Sequence, residues 1–212
     1  IPITENMSIG DKRIYLASRS PRRRELLKQM GVPFELFLLR EDLRRGADVD
    51  ETPLPDESPG VYVLRMAGAK VNTAVRQIAY RGLPQKPVLA ADTTVVFDDG
   101  IIGKPENAEQ ATRILRALSG REHQVLTAVA LALREQVETQ ISVSSVWFNE
   151  LTDTDIRRYV ATGEPLGKAG AYAIQGRAGA FVTRIAGSYS GIVGLPLVET
   201  AELLKKFDIP LW

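Results

Sequence analysis

Apolar and polar positions follow one another along the chain with two periods, one typical of strands and one typical of helices. The apolar run IYLAS at residues 14–18 predicts a short strand. Ser20 and Pro21 then supply the N-cap and the first residue of a helix that continues to Met30. Residues 34–39 predict a second strand. The chain therefore begins with a strand, a helix and a strand.

A polar, Pro- and Gly-rich stretch comes next, REDLRRGADVDETPLPDESPG at residues 40–60. Its composition predicts a loop, and a loop of this length inside a compact domain is usually functional or disordered. Ser58 and Pro59 form a second helix start. Apolar or small residues then recur at helical spacing, namely Val61, Leu64, Gly68, Val71, Val75 and Ile78. We expect one long helix to about Tyr80.

Strand and helix patterns continue to alternate through the rest of the chain, which favours an α/β fold. The segments PVLAADTTVVF and IIGKP flank Asp98-Asp99-Gly100, a hairpin signal. The other predicted elements are a helix at about 107–118, strands at about 123–134 and 139–148, a helix from Thr152 to Gly163, a strand at about 180–186 and a helix at about 196–207.

Composition narrows the class of protein. The chain has 212 residues, of which 44% are hydrophobic and 25% are charged, so it can form one large domain or two closely joined lobes. Its net charge of +1 gives no global sign of a nucleic-acid or membrane-surface partner. There is no cysteine, and His123 is the sole histidine, which excludes thiolate and multi-histidine metal sites within one chain. No apolar run approaches a membrane span, and the first residues lack a signal-peptide core, so we expect a soluble, cytoplasmic protein.

Three arginines occupy the first turn of the helix that begins at Pro21, where the helix dipole disfavours cations. Residues four apart share a helix face, which places Arg22 above Leu26 and Arg23 above Leu27 on the apolar side. Arg24 falls on the polar side of the helix. Two guanidinium groups should therefore lean toward the core, where each needs a partner for its charge.

These arginines, together with Ser18 and Ser20, are residue types suited to an anion-binding site. The first turn of a helix offers unpaired backbone N–H groups, hydroxyls add donors, and arginine binds phosphate in a bidentate manner. A polyphosphate ligand would explain the three arginines. The residues alone leave two other interpretations open: neutralisation of the arginines by internal carboxylates, or a solvated cluster of arginines.

Asp92 lies within or at the end of an apolar strand, where a carboxylate costs free energy unless it is paired or binds a metal. If the hairpin turns around residues 98–100, Phe97 faces Ile101, and Asp92 and Lys104 become diagonal neighbours roughly 7–8 Å apart. A ligand or ion could lie between Asp92 and Lys104. A partly buried ion pair is an equally open interpretation.

Other charged residues have a structural and a functional interpretation. Lys70 lies on the flank of the long helix, where a lysine normally extends to solvent. Asp48, Asp50 and Glu51 form an acidic run that is either solvated or a source of oxygen ligands for Mg²⁺. His123 begins a strand and is expected to be a structural hydrogen-bonding residue.

The Gly-rich stretch after residue 163 has a weak resemblance to a phosphate-binding P-loop, but the spacing between Gly163 and Gly167 is too short and a helix precedes it. Tyr172 and Gln175 offer a ring that could stack on a base and an amide that could bind a base edge. As core or turn residues they would have no such role.

Several of these motifs together resemble those of a known family. LASRSPRRRELL, ADTTV, GKP, KAGAYAIQG and GSYSGIVGLPL resemble, in order, the motifs of the Maf family of nucleoside triphosphate pyrophosphatases, historically described as septum formation inhibitors. The likeness covers about residues 14–208, with residues 1–13 as an N-terminal extension and 209–212 as a tail. It implies an α/β fold with two lobes around a central mixed, twisted sheet and a cleft between the lobes. The family is often dimeric.

The resemblance also implies metal-dependent hydrolysis of the α–β phosphoanhydride of a nucleotide, with Mg²⁺ or Mn²⁺. Carried over by position, the family's phosphate-binding residues are Ser18, Arg22, Arg23, Lys70 and Lys104. The resemblance makes Asp92 the catalytic aspartate. It also makes Asp92 a metal ligand, together with an acid from the loop, which is Asp50 or Glu51. Gln175 is the residue that would recognise the base. A nucleoside triphosphate is the implied substrate. No membrane partner is expected, and the near-neutral net charge argues against a nucleic-acid partner.

Two branches of the family differ in these motifs. Pro-Arg-Arg, Asp-Thr and Lys-Ala-Gly-Ala-Tyr resemble the branch that acts on dTTP and UTP, whereas the branch acting on 7-methyl-GTP tends to have Pro-Trp-Arg and Asp-Gln. Gly167 stands where many members have aspartate, and Arg19 replaces a small or amide residue. A non-catalytic nucleotide- or nucleic-acid-binding module remains a different possibility, with Arg40, Arg44 and Arg45 extending the arginine patch.

Overall fold

Seven strands form one mixed sheet in the computed structural model, which describes residues 13–41 and 46–211. The strands are β1 (Ile14–Leu16), β2 (Phe34–Leu36), β3 (Val88–Phe97), β4 (Gly100–Ile102), β5 (Glu122–Leu133), β6 (Gln136–Phe148) and β7 (Val182–Ala186). Their order is β2-β1-β3-β5-β6-β7, with β4 also paired to β3. β1 runs parallel to β2 and β3, and the other pairs are antiparallel. The predicted α/β class and mixed sheet are confirmed.

Six α-helices flank this sheet among the described residues: α1 (Pro21–Gln29), α2 (Pro59–Tyr80), α3 (Ala108–Leu118), α4 (Asp153–Ala161), α5 (Tyr189–Val193) and α6 (Leu197–Lys206). The predicted N-caps Ser20, Ser58 and Thr152 each accept a hydrogen bond from a backbone N–H of their helix. These side chains satisfy donors that a helix start would otherwise leave unpaired, which is why the predicted helix starts are confirmed. The pattern missed the short helix α5. No helix in the described ranges is long and apolar enough to cross a membrane.

Apolar side chains form buried clusters on both faces of the sheet, because successive residues of a strand point to opposite faces. On one face Val88 and Ala90 of β3 belong to the cluster that includes the apolar stripe of α2. On the other face Leu89 and Ala91 belong to a cluster with α1 and α6. Farther along that face, Val95 packs in a third cluster with α3 and α4. The stripe predicted for α2 therefore lies against the centre of the sheet.

One edge of β3 is covered only in part. β1 pairs with β3 at Val88 and Leu89, and β4 pairs with β3 at residues 95–97. Between them, residues 90–94 face no strand of the described residues on this side, while β5 covers the other side. The chain leaves β1 near Ala17 and enters α1, so the N-terminus of α1 lies beside this gap. A gap of this kind, beyond the carboxyl end of a parallel strand, is a common place for a ligand.

The hairpin differs from its predicted register by one residue. Phe97 pairs with Gly100, and not with Ile101 as predicted. The turn holds two residues, Asp98 and Asp99, whose φ angles of 47° and 61° fit the left-handed two-residue turns favoured in hairpins. Because β4 ends at Ile102, Lys104 lies outside the ladder, and the predicted diagonal pair was wrong.

Some predictions concern residues outside the described ranges. Residues 1–12 of the predicted N-terminal extension lie outside them, as do Arg44, Arg45 and the last residue of the predicted tail.

Candidate functional site

A cavity of about 310 Å³ opens at the uncovered edge of β3, beside the N-terminus of α1. This volume is at the lower end of the range for small-molecule sites. The residues predicted for phosphate, base and catalysis all line it: Ser18, Arg22, Arg23, Lys70, Asp92, Lys104 and Gln175, together with Glu51 of the two acids from the loop. The structure therefore brings together side chains from six separate segments of the chain.

Arg23 is held by neutral oxygen atoms. Its Nε donates to the carbonyl of Gly194 at 2.7 Å, and its two terminal nitrogens donate to Ser18 Oγ at 3.4 Å and Thr93 Oγ1 at 3.1 Å. Burial lowers the pKa of Arg23, because a charged guanidinium is poorly solvated there. The Thr93 hydroxyl also contacts Thr127 Oγ1 at 2.9 Å, which ties the arginine to the middle of the sheet.

Arg22 is half-buried, and its Nε donates to the carbonyl of Val193 at 3.2 Å. Arg24, on the polar side as predicted, donates instead to the carbonyl of Arg19 at 2.8 Å. Among the described residues, no carboxylate forms an ion pair with Arg22 or Arg23. Internal neutralisation, the first alternative above, is therefore absent from this part of the chain. Two guanidinium groups face the cavity with only neutral partners, which favours an anionic ligand.

Lys70, Asp92 and Glu51 form a charged wall of the same cavity, with Lys70 at its centre. Its Nζ lies 2.6 Å from Asp92 Oδ1 and 3.0 Å from Glu51 Oε1. The side chains of Lys70 and Asp92 are only 14% and 13% exposed. The expected extension of Lys70 to solvent was therefore wrong, because α2 packs on the sheet face that carries the Asp92 side chain. The ion pair of Asp92 was foreseen, but its partner is Lys70 and not Lys104.

Charges within this triad shift the pKa values of Lys70 and Glu51. Burial alone would lower the pKa of Lys70, but Asp92 and Glu51 raise it above its ordinary value. Burial alone would raise the pKa of Glu51, but the ammonium groups of Lys70 and Lys104 lower it. Lys70 is therefore charged and Glu51 ionised near neutral pH, and the ammonium holds two carboxylates close together.

The two acids from the loop separate in the structure. Glu51 contacts Lys70, whereas the exposed Asp50 accepts a hydrogen bond from the backbone N–H of Thr52 at 2.9 Å and faces a neighbouring hollow. No group of three or more His, Cys, Asp or Glu residues that could hold a metal occurs in the described ranges. Asp50, Glu51 and Asp92 therefore do not gather as one ligand set, and Glu51 and Asp92 are the pair that faces the cavity.

The remaining wall comes from the Gly-rich stretch. Gln175 is exposed at the cavity rim. Tyr172, considered above as a stacking surface, is 6% exposed, and its hydroxyl lies 2.7 Å from His123 Nε2. Its ring also packs edge-on against Phe148. Tyr172 is thus mainly a core residue, and the structural role expected of His123 is confirmed.

The sequence did not indicate a site role for three polar side chains that line the cavity: Glu41, Thr93 and Lys168. Thr93 follows Asp92 directly, and strand alternation could have placed its hydroxyl on the opposite face of the sheet. Lys168 belongs to the Gly-rich stretch whose spacing does not fit a P-loop, and no other local pattern indicates a role for it. Glu41 carries no local signal, because it is one charge among many in a polar loop.

Comparisons with known proteins agree with this geometry. A family model described as Maf-like protein matches residues 13–207. A dTTP/UTP pyrophosphatase of Nitrosomonas europaea is 54% identical over 199 residues, covering 94% of this chain and 96% of that protein. A dTTP/UTP pyrophosphatase of Aromatoleum aromaticum is 56% identical over 200 residues, covering 94% and 97%. Among solved structures, the Staphylococcus aureus Ham1 protein matches 92% of this chain and 97% of its own at a TM-score of 0.47 and 14% identity, too low to bear on function.

Proposed function

Because the chain belongs to the Maf family, we propose that it is a nucleotide pyrophosphatase that hydrolyses dTTP and UTP at the α–β phosphoanhydride. The products are the nucleoside monophosphate and pyrophosphate. Relatives named for this activity share more than half of their residues with the chain over nearly its whole length. The motifs Pro-Arg-Arg and Asp-Thr, which resemble the dTTP/UTP branch, support the same substrates.

The observation that carries the proposal is the charge arrangement across one cavity. Arg22 and Arg23 face it with neutral partners, and Lys70 faces it between two carboxylates. Cleavage of a phosphoanhydride needs positive charge on the phosphate oxygens and an oriented water molecule, and little covalent chemistry from the protein. Fixed cations beside partly desolvated carboxylates meet both needs.

Each residue then has a role in the reaction. Arg22, Arg23 and the first turn of α1 bind the phosphate chain, with the Ser18 hydroxyl as a further donor. Lys104 and Lys70 neutralise charge that develops on the anhydride oxygens. As an anionic phosphate competes for the Lys70 ammonium, Asp92 becomes free to accept a proton from the attacking water.

A divalent cation fits the same pair of carboxylates. Asp92 and Glu51 both approach one nitrogen atom, so a single cation could bind between them in place of the ammonium. Mg²⁺ commonly binds through one or two carboxylates, with water and substrate phosphates completing its shell. Mg²⁺ or Mn²⁺ held by Asp92 and Glu51 would supply additional neutralisation of phosphate charge.

The experiment is a substrate panel on the purified protein with Mg²⁺ or Mn²⁺. We expect pyrophosphate release from dTTP and UTP at higher kcat/KM than from 7-methyl-GTP or purine triphosphates. Asp92→Asn should lower kcat at least a hundredfold without loss of folding. Asp50→Asn is the matched control and should keep wild-type turnover, since Asp50 is not among the residues that line the cavity.

Other outcomes would redirect the assignment. Preference for 7-methyl-GTP would assign the protein to the other branch of the family. Tight, salt-dependent oligonucleotide binding with no product from any triphosphate would favour the non-catalytic alternative. Wild-type rates in Asp92→Asn would remove Asp92 from the mechanism.

A further inference from the structure

Glu164 lies just beyond the end of α4, at the start of the Gly-rich stretch, and its carboxylate connects two elements. One oxygen, Oε1, accepts a hydrogen bond from the Tyr159 hydroxyl of α4 at 2.9 Å. The other, Oε2, accepts the backbone N–H of Arg177 at 3.2 Å. The carboxylate therefore ties a rigid helix to the backbone just after Gln175.

Gly176 packs directly against this carboxylate. A Cβ atom at position 176 would overlap the Glu164 carboxylate, so the backbone packs on the carboxylate without an intervening side chain. Gln175, whose side chain lines the cavity, is the adjacent residue. Its backbone position is thus set by the contact between Glu164 and the segment 176–177.

The backbone of Glu164 makes a further contact, with the side chain of Lys168. Its carbonyl accepts a hydrogen bond from Lys168 Nζ at 2.6 Å, which closes the turn that follows α4. Lys168 also lines the cavity. One residue outside the cavity lining thus holds both ends of the segment that forms this wall.

We propose that Glu164 is a positioning residue that holds Gln175 in place to bind the nucleoside end of the substrate. This inference rests on the proposed function and on the base-recognising role that the resemblance to the family implies for Gln175. A side chain held in its binding position before the ligand arrives loses less conformational freedom on binding. Loss of Glu164 should therefore weaken nucleotide binding and base discrimination while leaving the chemical step unchanged.

The test compares Glu164→Ala with the conservative Glu164→Gln. The glutamine oxygen can accept from Arg177 N–H while its NH₂ group donates to the Tyr159 hydroxyl, so both contacts can persist. We expect Glu164→Ala to raise KM for dTTP about tenfold with kcat changed less than twofold, and Glu164→Gln to restore most of the loss. Tyr159→Phe, which removes one of the two carboxylate contacts, should give an intermediate KM. Glu135→Ala, in the exposed turn between β5 and β6, is the control and should behave as wild type.

A second measurement separates positioning from general damage to the fold. Inorganic tripolyphosphate has no nucleoside, so its dissociation constant should change less than twofold in Glu164→Ala while that for dTTP rises about tenfold. Equal weakening of both ligands, a lowered kcat with unchanged KM, or failure of glutamine to rescue would overturn the proposal. If the wild-type protein turns over no nucleotide, the proposed function fails, and the two dissociation constants still decide the role of Glu164.

Discussion

Removal of the Lys70 ammonium should destabilise the protein, because Asp92 and Glu51 would be left side by side without a cation. Lys70 and Asp92 are 14% and 13% exposed and 2.6 Å apart. Breaking a buried pair by removing one partner typically costs about 3–5 kcal/mol. Glu51 is 45% exposed and keeps much of its hydration, so we expect the lower end, about 3 kcal/mol, for Lys70→Met. For a chain of this size that corresponds to a fall in Tm of about 6–12 °C.

The stability lost in Lys70→Met should depend on pH, in a direction that the pKa shifts of Lys70 and Glu51 define. The pKa of Lys70 is raised from 10.5, so its contribution is complete below pH 10.5 and declines as pH rises through the higher folded value. The pKa of Glu51 is lowered from 4.5, so its contribution is complete above pH 4.5 and declines as pH falls through the lower folded value. The difference between wild type and Lys70→Met should thus be largest between about pH 5 and 10.

Urea unfolding within this pH range and on both sides of it, without nucleotide or metal, measures the effect. Lys28→Met removes an exposed lysine paired with Glu25 and serves as the control, with an expected change within about 0.5 kcal/mol. Adding Asp92→Asn to Lys70→Met should recover part of the lost stability, because one unpaired charge is removed. Equal stability of Lys70→Met and wild type, or a difference that does not vary with pH, would refute the charge assignment.

Two further predictions concern residues away from the charged wall. Burial lowers the pKa of His123 from 6.5 to about 4, so the unfolded chain binds a proton that the folded protein does not, and stability should fall by about 3 kcal/mol as pH drops from 7 to 4. Chemical unfolding should show this slope reduced in His123→Gln, and an unchanged slope would contradict the assignment. In Gly170→Ala, the added Cβ would meet Val95 Cγ2 at 2.8 Å in a backbone with φ of +71°, so we expect a loss of about 2 kcal/mol by thermal unfolding. Gly82→Ala has a similar φ of +64° but open space and should lose less; equal losses would rule out the contact with Val95 as the cause.

Most of the secondary structure could be predicted because its signals are local. Caps at Ser20, Ser58 and Thr152 and the apolar period of α2 are properties of a few neighbouring residues. Element ends were accurate to within a few residues. The one-residue error in the hairpin register arose because the local pattern does not distinguish a turn of two residues from one of three.

The candidate site could be predicted only in part, and much of that prediction came from the resemblance to a family. The residue types and their motifs indicated which side chains matter, including Asp92 and the arginines of α1. The residues alone predicted that Lys70 extends to solvent and left Asp50 and Glu51 equivalent. Both questions depend on which strand packs beneath α2 and on how the loop folds back over it.

What the sequence determined by itself is the set of elements, their caps and the chemical groups available, because periodicity and capping act over a few residues. The tertiary structure alone decided that β1 and β4 cover β3 only at its ends and leave residues 90–94 open. It also decided that Lys70 of α2 lies between Glu51 and Asp92. The pairing of β1 with β3 and the two contacts of Lys70 join residues about twenty positions or more apart in the chain. The packing of the whole sheet and its helices is what brings these residues within hydrogen-bonding distance.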